Sequence, residues 1–398
     1  MKHNPYFIHA HSQDEPFLER FRFVSQAERD TFTAKADRLL IHVENVPEQL
    51  TGLLQQALRE RGGEAALYRQ DSMLDSNESS LLLVIDRLEL AHILQTLTKT
   101  PELQGLASEI RQVLQLKQQL SQRSFLKCGD YQLPWGQRTL VMGILNVTPD
   151  SFSDGGRYNN VENALAHARL LVEAGADIID VGGESTRPGY APVDAAEELR
   201  RVIPVIEALS REVKVPLSID TYKAEVAERA IRAGAHIIND IWGAKREPDI
   251  AKVAAKWNVP IILMHNRDKM DYRDFFSELV RDLRESVDIA LNAGVAEENI
   301  ILDPGIGFAK TLAHNLETMR RLDDIVALGY PVLLGTSRKS MIGQVLDLPP
   351  AERLEGTAAT VALGAAKGCR IMRVHDVKEI KRVVVMMDAM LRGGAVHG

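Results

Sequence analysis

Cysteine is scarce in this chain of 398 residues: only Cys128 and Cys369 occur, far apart and with no CxxC pair. That spacing offers neither a disulfide framework nor a thiolate zinc site, and both thiols read as reduced structural residues. Positive charge is also in deficit. With a formal net charge of −7 the chain has no bulk basic face for nucleic acid, so an anionic ligand must be held by individually placed Arg, Lys and His. The first residues, MKHNPYFIHAHSQDEPFLERF, carry charges and prolines and no continuous apolar stretch. Neither a signal peptide nor a membrane helix is expected there, so the expected location is the cytoplasm, with no membrane partner. Two chemical signatures are missing as well: no GxGxxG turn follows the first strand, and no GxSxG elbow offers a nucleophile.

What is present is the composition of a folded protein, 26% charged and 45% hydrophobic. Its length suits a barrel of roughly 250 residues with a smaller unit of roughly 120. Residues 1–125 are rich in Gln, Leu and Glu and poor in glycine-terminated strand ends. Residues 39–43 and 81–85 read as strands there, while 47–61, 88–98 and 101–122 have helical spacing, with Gly62-Gly63 stopping the first. A small α/β domain of unknown role, ending in a helical linker, is expected.

From Leu126 to the end the pattern changes to a regular alternation. Eight apolar strands are expected at 139–145, 177–181, 215–219, 236–241, 260–264, 299–302, 331–334 and 370–374. Between them lie amphipathic segments at 161–174, 194–210, 223–233, 275–293, 312–328, 351–367 and 377–391, each long enough for a crossover helix. Eight such units predict a (β/α)8 TIM barrel over residues 126–398. An open doubly wound sheet is the alternative, disfavoured by the missing glycine-rich turn and by the count of similar units.

In a closed barrel, the strand C-termini converge on one mouth although they are far apart in sequence. The residues standing there are Asn146, Asp180, Asp220, Asn239, His265, Asp303, Ser337 to Lys339, and Arg373 with His375. Asp220 and Asp303 each also suit a helix cap. With Asn239 between them, however, they form a set that accepts and donates along the edge of a 2-amino-pyrimidinone ring. Burial would raise the pKa of these acids, and a lysine ammonium, expected from Lys339, would hold them ionised. Arg373 and His375 lie two apart at the end of the eighth strand, hence on one side of it, as an anion clamp requires. His265, in Met264-His265-Asn266, reads as structural or as a support behind the site.

The first strand runs into Asn146-Val147-Thr148-Pro149-Asp150-Ser151-Phe152-Ser153-Asp154-Gly155-Gly156, and the second into Gly182-Gly183-Glu184-Ser185-Thr186-Arg187-Pro188-Gly189. Later come Ser337-Arg338-Lys339-Ser340 and Arg373-Val374-His375-Asp376. Together, in this order, they resemble the signatures of the dihydropteroate synthase family over about residues 126–392. The resemblance implies the condensation of 6-hydroxymethyl-7,8-dihydropterin diphosphate with p-aminobenzoate in a barrel of this kind, with Mg2+ as cofactor and a homodimeric assembly. It implies a pterin pocket of Asp220, Asn239, Asp303 and Lys339 with apolar walls from Ile241 and Met264. Phe152 and Phe308 would flank the benzoate ring, and Ser340 would meet its carboxylate. Thr186 and Arg187 would contact substrate, Pro188 would pack the second loop, Arg373 and His375 would clamp the diphosphate, and Asn146 would hold the metal. A pterin-binding methyltransferase barrel and a non-catalytic pterin-binding protein are the alternatives. The first has no use for Arg187, Ser340, Arg373 and His375 together.

Overall fold

The structure is a computed structural model that describes residues 6–8, 39–68, 78–86, 89–122, 124–147, 157–184 and 193–392. The chain divides into two compact units. One is Met1–Ser121 with Tyr272–Phe275 and Asp323–Tyr330; the other is Gln122–Asp271, Phe276–Leu322 and Pro331–Gly398.

The first unit holds a four-stranded antiparallel sheet of β1 (Tyr6–Ile8), β2 (Leu39–Pro47), β3 (Glu64–Tyr68) and β4 (Glu78–Ile85), in the order β1-β2-β4-β3. Helices α1 (Glu48–Arg59), α2 (Leu90–Lys99) and α3 (Gln104–Gln122) accompany it. Alternate strand residues Ile41, Val43, Leu81, Leu83 and Ile85 share one core with Leu54, Leu58, Ile93 and Leu97, the joining of period two to period 3.6 that an α/β unit requires. α1 stops at Arg59, and Gly62 (φ +70) turns the chain. The strand β3 had no sequence expectation; at five residues with one charge it is too short to show alternation.

The second unit opens with a hairpin, β5 (Leu126–Cys128) and β6 (Tyr131–Leu133), followed by eight parallel strands. These are β7 (Leu140–Asn146), β8 (Ile178–Gly182), β9 (Leu217–Asp220), β10 (Ile237–Asp240), β11 (Ile261–Met264), β12 (Ile300–Asp303), β13 (Leu333–Leu334) and β14 (Ile371–Val374). They pair in the order β12-β11-β10-β9-β8-β7-β14-β13. A parallel bridge between Leu302 and Val332 joins the two ends and closes the barrel.

Crossover helices are α4 (Arg157–Glu173), α5 (Ala195–Glu212), α6 (Ala224–Ala233), α7 (Asp249–Trp257), α8 (Phe275–Asn292), α9 (Leu312–Arg320), α10 (Leu322–Val326), α11 (Ser340–Leu346), α12 (Leu354–Ala366) and α13 (Val377–Arg392). The expected helix 312–328 is broken in two at Arg321, whose φ −111 and ψ 22 lie outside helical values. No helix among the described residues is long and apolar enough to cross a membrane.

Strand period then builds the site. Leu140, Met142, Ile178, Ile237, Ile262, Ile301, Leu333 and Ile371, one or two from nearly every strand, form a single cluster with Leu126, Cys128, Leu133 and Trp135 of the hairpin region. This cluster is the barrel floor. Side chains two residues further along a strand point the same way, so above the floor come Ile144, Asp180, Asn239, Met264, Asp303, Gly335 and Arg373, with Asp220 in the same layer on β9. The change from apolar to polar occurs within one step of two residues. Cys128 and Cys369 are both buried and free, and burial pushes each thiol up to about 12.

Candidate active site

At the centre of the polar layer stands Arg373. Its Nε donates to Asp180 Oδ2 at 2.7 Å and its Nη2 to Asp220 Oδ2 at 2.6 Å. Asn239 Nδ2 donates to the same Asp180 oxygen at 3.1 Å. The other carboxylate oxygens, Asp180 Oδ1 and Asp220 Oδ1, are buried with no hydrogen-bond partner among the described residues. A buried acceptor without a donor is costly, and these oxygens could accept from a donor-bearing ligand. Burial pushes the Asp220 carboxyl up to about 7, against the pull of Arg373. Burial opposes the charge on Arg373 too, yet Asp180 and Asp220 hold its guanidinium above its ordinary value.

Gly182 and Gly335 keep this layer open. A Cβ on Gly182 would lie 3.6 Å from both Asn146 Oδ1 and Asp220 Oδ2, and one on Gly335 3.9 Å from Arg373 Cβ and 4.0 Å from Asp303 Oδ2. Asn146 and Asp220 thus flank Gly182 at the mouth, and Arg373 and Asp303 flank Gly335. Beyond Asp303, whose Oδ1 accepts from Gly305 N at 2.7 Å, the chain makes a tight turn. Lys339 reaches across that turn: its side chain lies against Gly307, its ammonium donates to the Ile306 carbonyl, and Nζ stands 4.2 Å over the Phe308 ring. Desolvation brings Lys339 down to about 8, and Asp303 opposes the fall. Asp303 itself is raised by burial, with Lys339 pulling the other way.

Most of the residues singled out from sequence thus meet in one place. Met264 is buried beside Gly305, Ile241 is half-buried in the turn after β10, and Ser340 is exposed at the first position of α11. One detail differs from expectation. The direct counter-ion of Asp220 is Arg373 rather than Lys339, because Arg373 rises from the floor on β14 and its long side chain spans the mouth. His375 Nδ1 lies 3.0 Å from Ser337 Oγ, which also accepts from His375 N at 3.1 Å. Phe152, Thr186, Arg187 and Pro188 lie outside the described residues.

Three functional features were missed. Asp180 stood among the strand-end candidates but received no role, although both Arg373 and Asn239 bind it; the signal was its place two residues after Ile178. The glycines at 182 and 335 follow the same period. Third, Lys223 Nζ joins Glu184 Oε2 at 2.6 Å and the buried Glu198 Oε2 at 2.5 Å, while Arg201 donates to the Gly183 carbonyl at 2.9 Å. These contacts fix the chain where it leaves β8, and nothing in a sequence pairs residues so far apart.

The pattern of the family described as pterin binding enzyme matches residues 142–375. Dihydropteroate synthase of Bacillus subtilis (strain 168) is 62% identical over 265 residues, which are 67% of this chain and 93% of that protein. The chain belongs to the dihydropteroate synthase family.

Solved dihydropteroate synthases share the barrel as well as the sequence. That of Clostridium difficile, determined in the presence of pteroic acid, is 52% identical with a TM-score of 0.64, over 65% of this chain and 98% of the other. The Xanthomonas albilineans dihydropteroate synthase with 4-aminobenzoic acid is 42% identical with a TM-score of 0.65, over 68% of this chain and 98% of the other.

Proposed function

We propose that this chain is a Mg2+-dependent, cytoplasmic, homodimeric dihydropteroate synthase, joining 6-hydroxymethyl-7,8-dihydropterin diphosphate to p-aminobenzoate with release of diphosphate. The observation that carries the substrate reading is the buried, partnerless Asp220 Oδ1, beside Asn239 and Asp303 at one level of the barrel. A pterin offers amine and ring N–H donors along one edge together with ring acceptors, and this set answers both. Met264 and Ile241 supply apolar walls. Lys339, between Asp303 and the Phe308 ring, donates to the ring edge, and Ser340 at the rim meets the benzoate carboxylate, with Phe308 and Phe152 flanking the benzoate ring. In this reading Thr186 and Arg187 also contact substrate, and Pro188 packs the loop that carries them.

The reaction needs no protein nucleophile. The C–O bond between the pterin methylene and diphosphate breaks, its electron pair leaving with the diphosphate, and the ring nitrogens delocalise the positive charge left on the methylene. The aromatic amine then forms the C–N bond and loses a proton. Positioning and charge placement supply the acceleration. Arg373 serves here twice: Nε and Nη2 are engaged with Asp180 and Asp220, while Nη1 has no acceptor among the described residues and faces the departing anion together with His375.

Asn146 is the residue to hold Mg2+. Its amide oxygen is a hard ligand at the mouth beside Asp220, and no group of three His, Cys, Asp or Glu among the described residues forms a rival cage. A magnesium ion that keeps most of its waters suits one protein ligand plus substrate phosphates. Bound there, it supplies charge neutralisation for the diphosphate.

What supports the homodimer reading is the set of exposed apolar side chains Leu363 of α12 and Val385, Met386 and Met390 of α13, which leave the last two helices with apolar surface facing water. The domain boundary near residue 125 is part of the same proposal, with residues 126–398 as the catalytic barrel.

The test is diphosphate release by the purified chain from the pterin diphosphate, with and without p-aminobenzoate and Mg2+. Magnesium-dependent release that yields dihydropteroate supports the proposal. Pterin binding with no release under any combination would leave a binding protein or a methyltransferase-like barrel in its place.

A further inference from the structure

Behind the pterin-facing turn lies a buried lysine for which the reaction just described has no use, and burial pulls its pKa well below the ordinary value. Lys310 is 8% exposed and His265 fully buried. The Lys310 ammonium has three acceptors: the Gly305 carbonyl at 3.0 Å, the Phe308 carbonyl at 3.1 Å and His265 Nδ1 at 2.7 Å. On the far side of the ring, His265 Nε2 lies 3.2 Å from Asp282 Oδ2. Asp282 also takes two hydrogen bonds from Arg267, at 2.5 and 3.1 Å, and lines a cavity of about 270 Å³ with Lys245 and Asn266.

The donor count fixes the tautomer. Asp282, ionised between Arg267 and Lys245 (3.8 Å), only accepts, so His265 carries its proton on Nε2 and its Nδ1 accepts from Lys310. All three ammonium hydrogens are thereby used.

The turn they hold is one that a chain does not adopt unaided. Gly305, Gly307 and Ala309 have φ of +67, +84 and +44. A Cβ on Gly305 would lie 2.0 Å from the His265 carbonyl oxygen. On the inner side Lys310 gathers the carbonyls of Gly305 and Phe308; on the outer side Lys339 lies across Gly307 and donates to the Ile306 carbonyl.

We infer that Lys310, backed by His265 and Asp282, is a positioning residue for the synthase reaction: it acts as an internal hydrogen-bond donor that shapes the Gly305–Ala309 turn and so sets Lys339 and the Phe308 ring against the substrates. The inference rests on the pterin reading of the pocket.

A double-mutant cycle tests it, using Lys310→Met, Lys339→Met and the pair, with the affinity for the pterin diphosphate and kcat/KM as readouts. Lys310→Met is expected to keep the barrel fold by circular dichroism and to lower kcat/KM on the order of 100-fold. Most of that loss should vanish when Lys339 is already methionine, because Lys310 works through it. Wild-type kinetics in Lys310→Met, or losses that simply add in the double variant, would overturn the inference. If Lys310→Met does not fold, the same cycle is run with His265→Phe, which removes the Nδ1 acceptor but keeps the ammonium; His265→Asn, which can restore an acceptor, should recover part of the loss. Failure of the wild-type chain to bind the pterin diphosphate at all would instead strike the pterin reading itself.

Discussion

Replacing Asp220 with asparagine separates the two things its carboxylate does. Oδ2 is a partner of Arg373, but Arg373 keeps Asp180 at 2.7 Å in the variant, so the floor and the layer above it should survive. Oδ1 has no partner among the described residues, so what is lost is an anionic acceptor offered to the ligand. A hydrogen bond to a charged group contributes about 1.5–3 kcal/mol, which at about 1.4 kcal/mol per tenfold predicts a pterin affinity weaker by about 10- to 100-fold.

Stability should move the other way. The folded-state pKa of Asp220, about 7, lies above its ordinary 3.8. The native state therefore holds this proton more tightly than the unfolded chain does, and stability falls as pH rises from about 4 to about 7, by on the order of 4 kcal/mol. Asp220→Asn removes that fall, so at pH above about 7 the variant should be as stable as the wild type or more so. Calorimetric titration with the pterin diphosphate from about pH 6 to about pH 8, beside thermal unfolding from about pH 4 to about pH 8, reads both effects. Wild-type affinity should rise through about pH 7 as Oδ1 becomes anionic, and the variant should lack the step. Unchanged affinity, or a step that persists in the variant, would remove Asp220 from the pocket.

Other expectations follow from single contacts. Lys339, brought down to about 8, should give kcat/KM an alkaline limb near that pH, and Lys339→Met should be slow throughout with the limb gone; a limb retained in the pH profile would mean another group titrates. Asn146→Ala should weaken magnesium-dependent turnover while leaving pterin affinity largely intact, and a wild-type rate at limiting Mg2+ would dismiss Asn146 as the ligand. Trp135, 3% exposed in the barrel floor, should cost about 3–5 kcal/mol when cut to alanine, with little effect on pterin affinity; denaturant unfolding beside a binding titration tests the separation of floor from site.

The residues that line the barrel mouth were legible because a barrel makes their position a matter of period. Buried strands announce themselves as apolar runs, and the first polar residue after the floor, whether Asp180 after Ile178 or Arg373 after Ile371, must share the floor's direction. The fold class, the convergence of Asn146, Asp220, Asn239, Asp303, Lys339 and Arg373, and the fate of the two cysteines needed no coordinates. Helix α7 escaped notice because only nine residues carry its apolar face, and the break at Arg321 because amphipathic spacing runs on through it.

Pairing is what sequence did not determine. Which carboxylate takes Arg373, that His375 turns to Ser337, that Lys223 ties Glu184 to Glu198, and that Lys310 shapes the turn carrying Phe308 all depend on side-chain reach across strands far apart in the chain. Period fixes the direction in which a side chain leaves the backbone. Only the closed barrel, which sets the distance to each possible partner and the water left between them, decides which partner it meets.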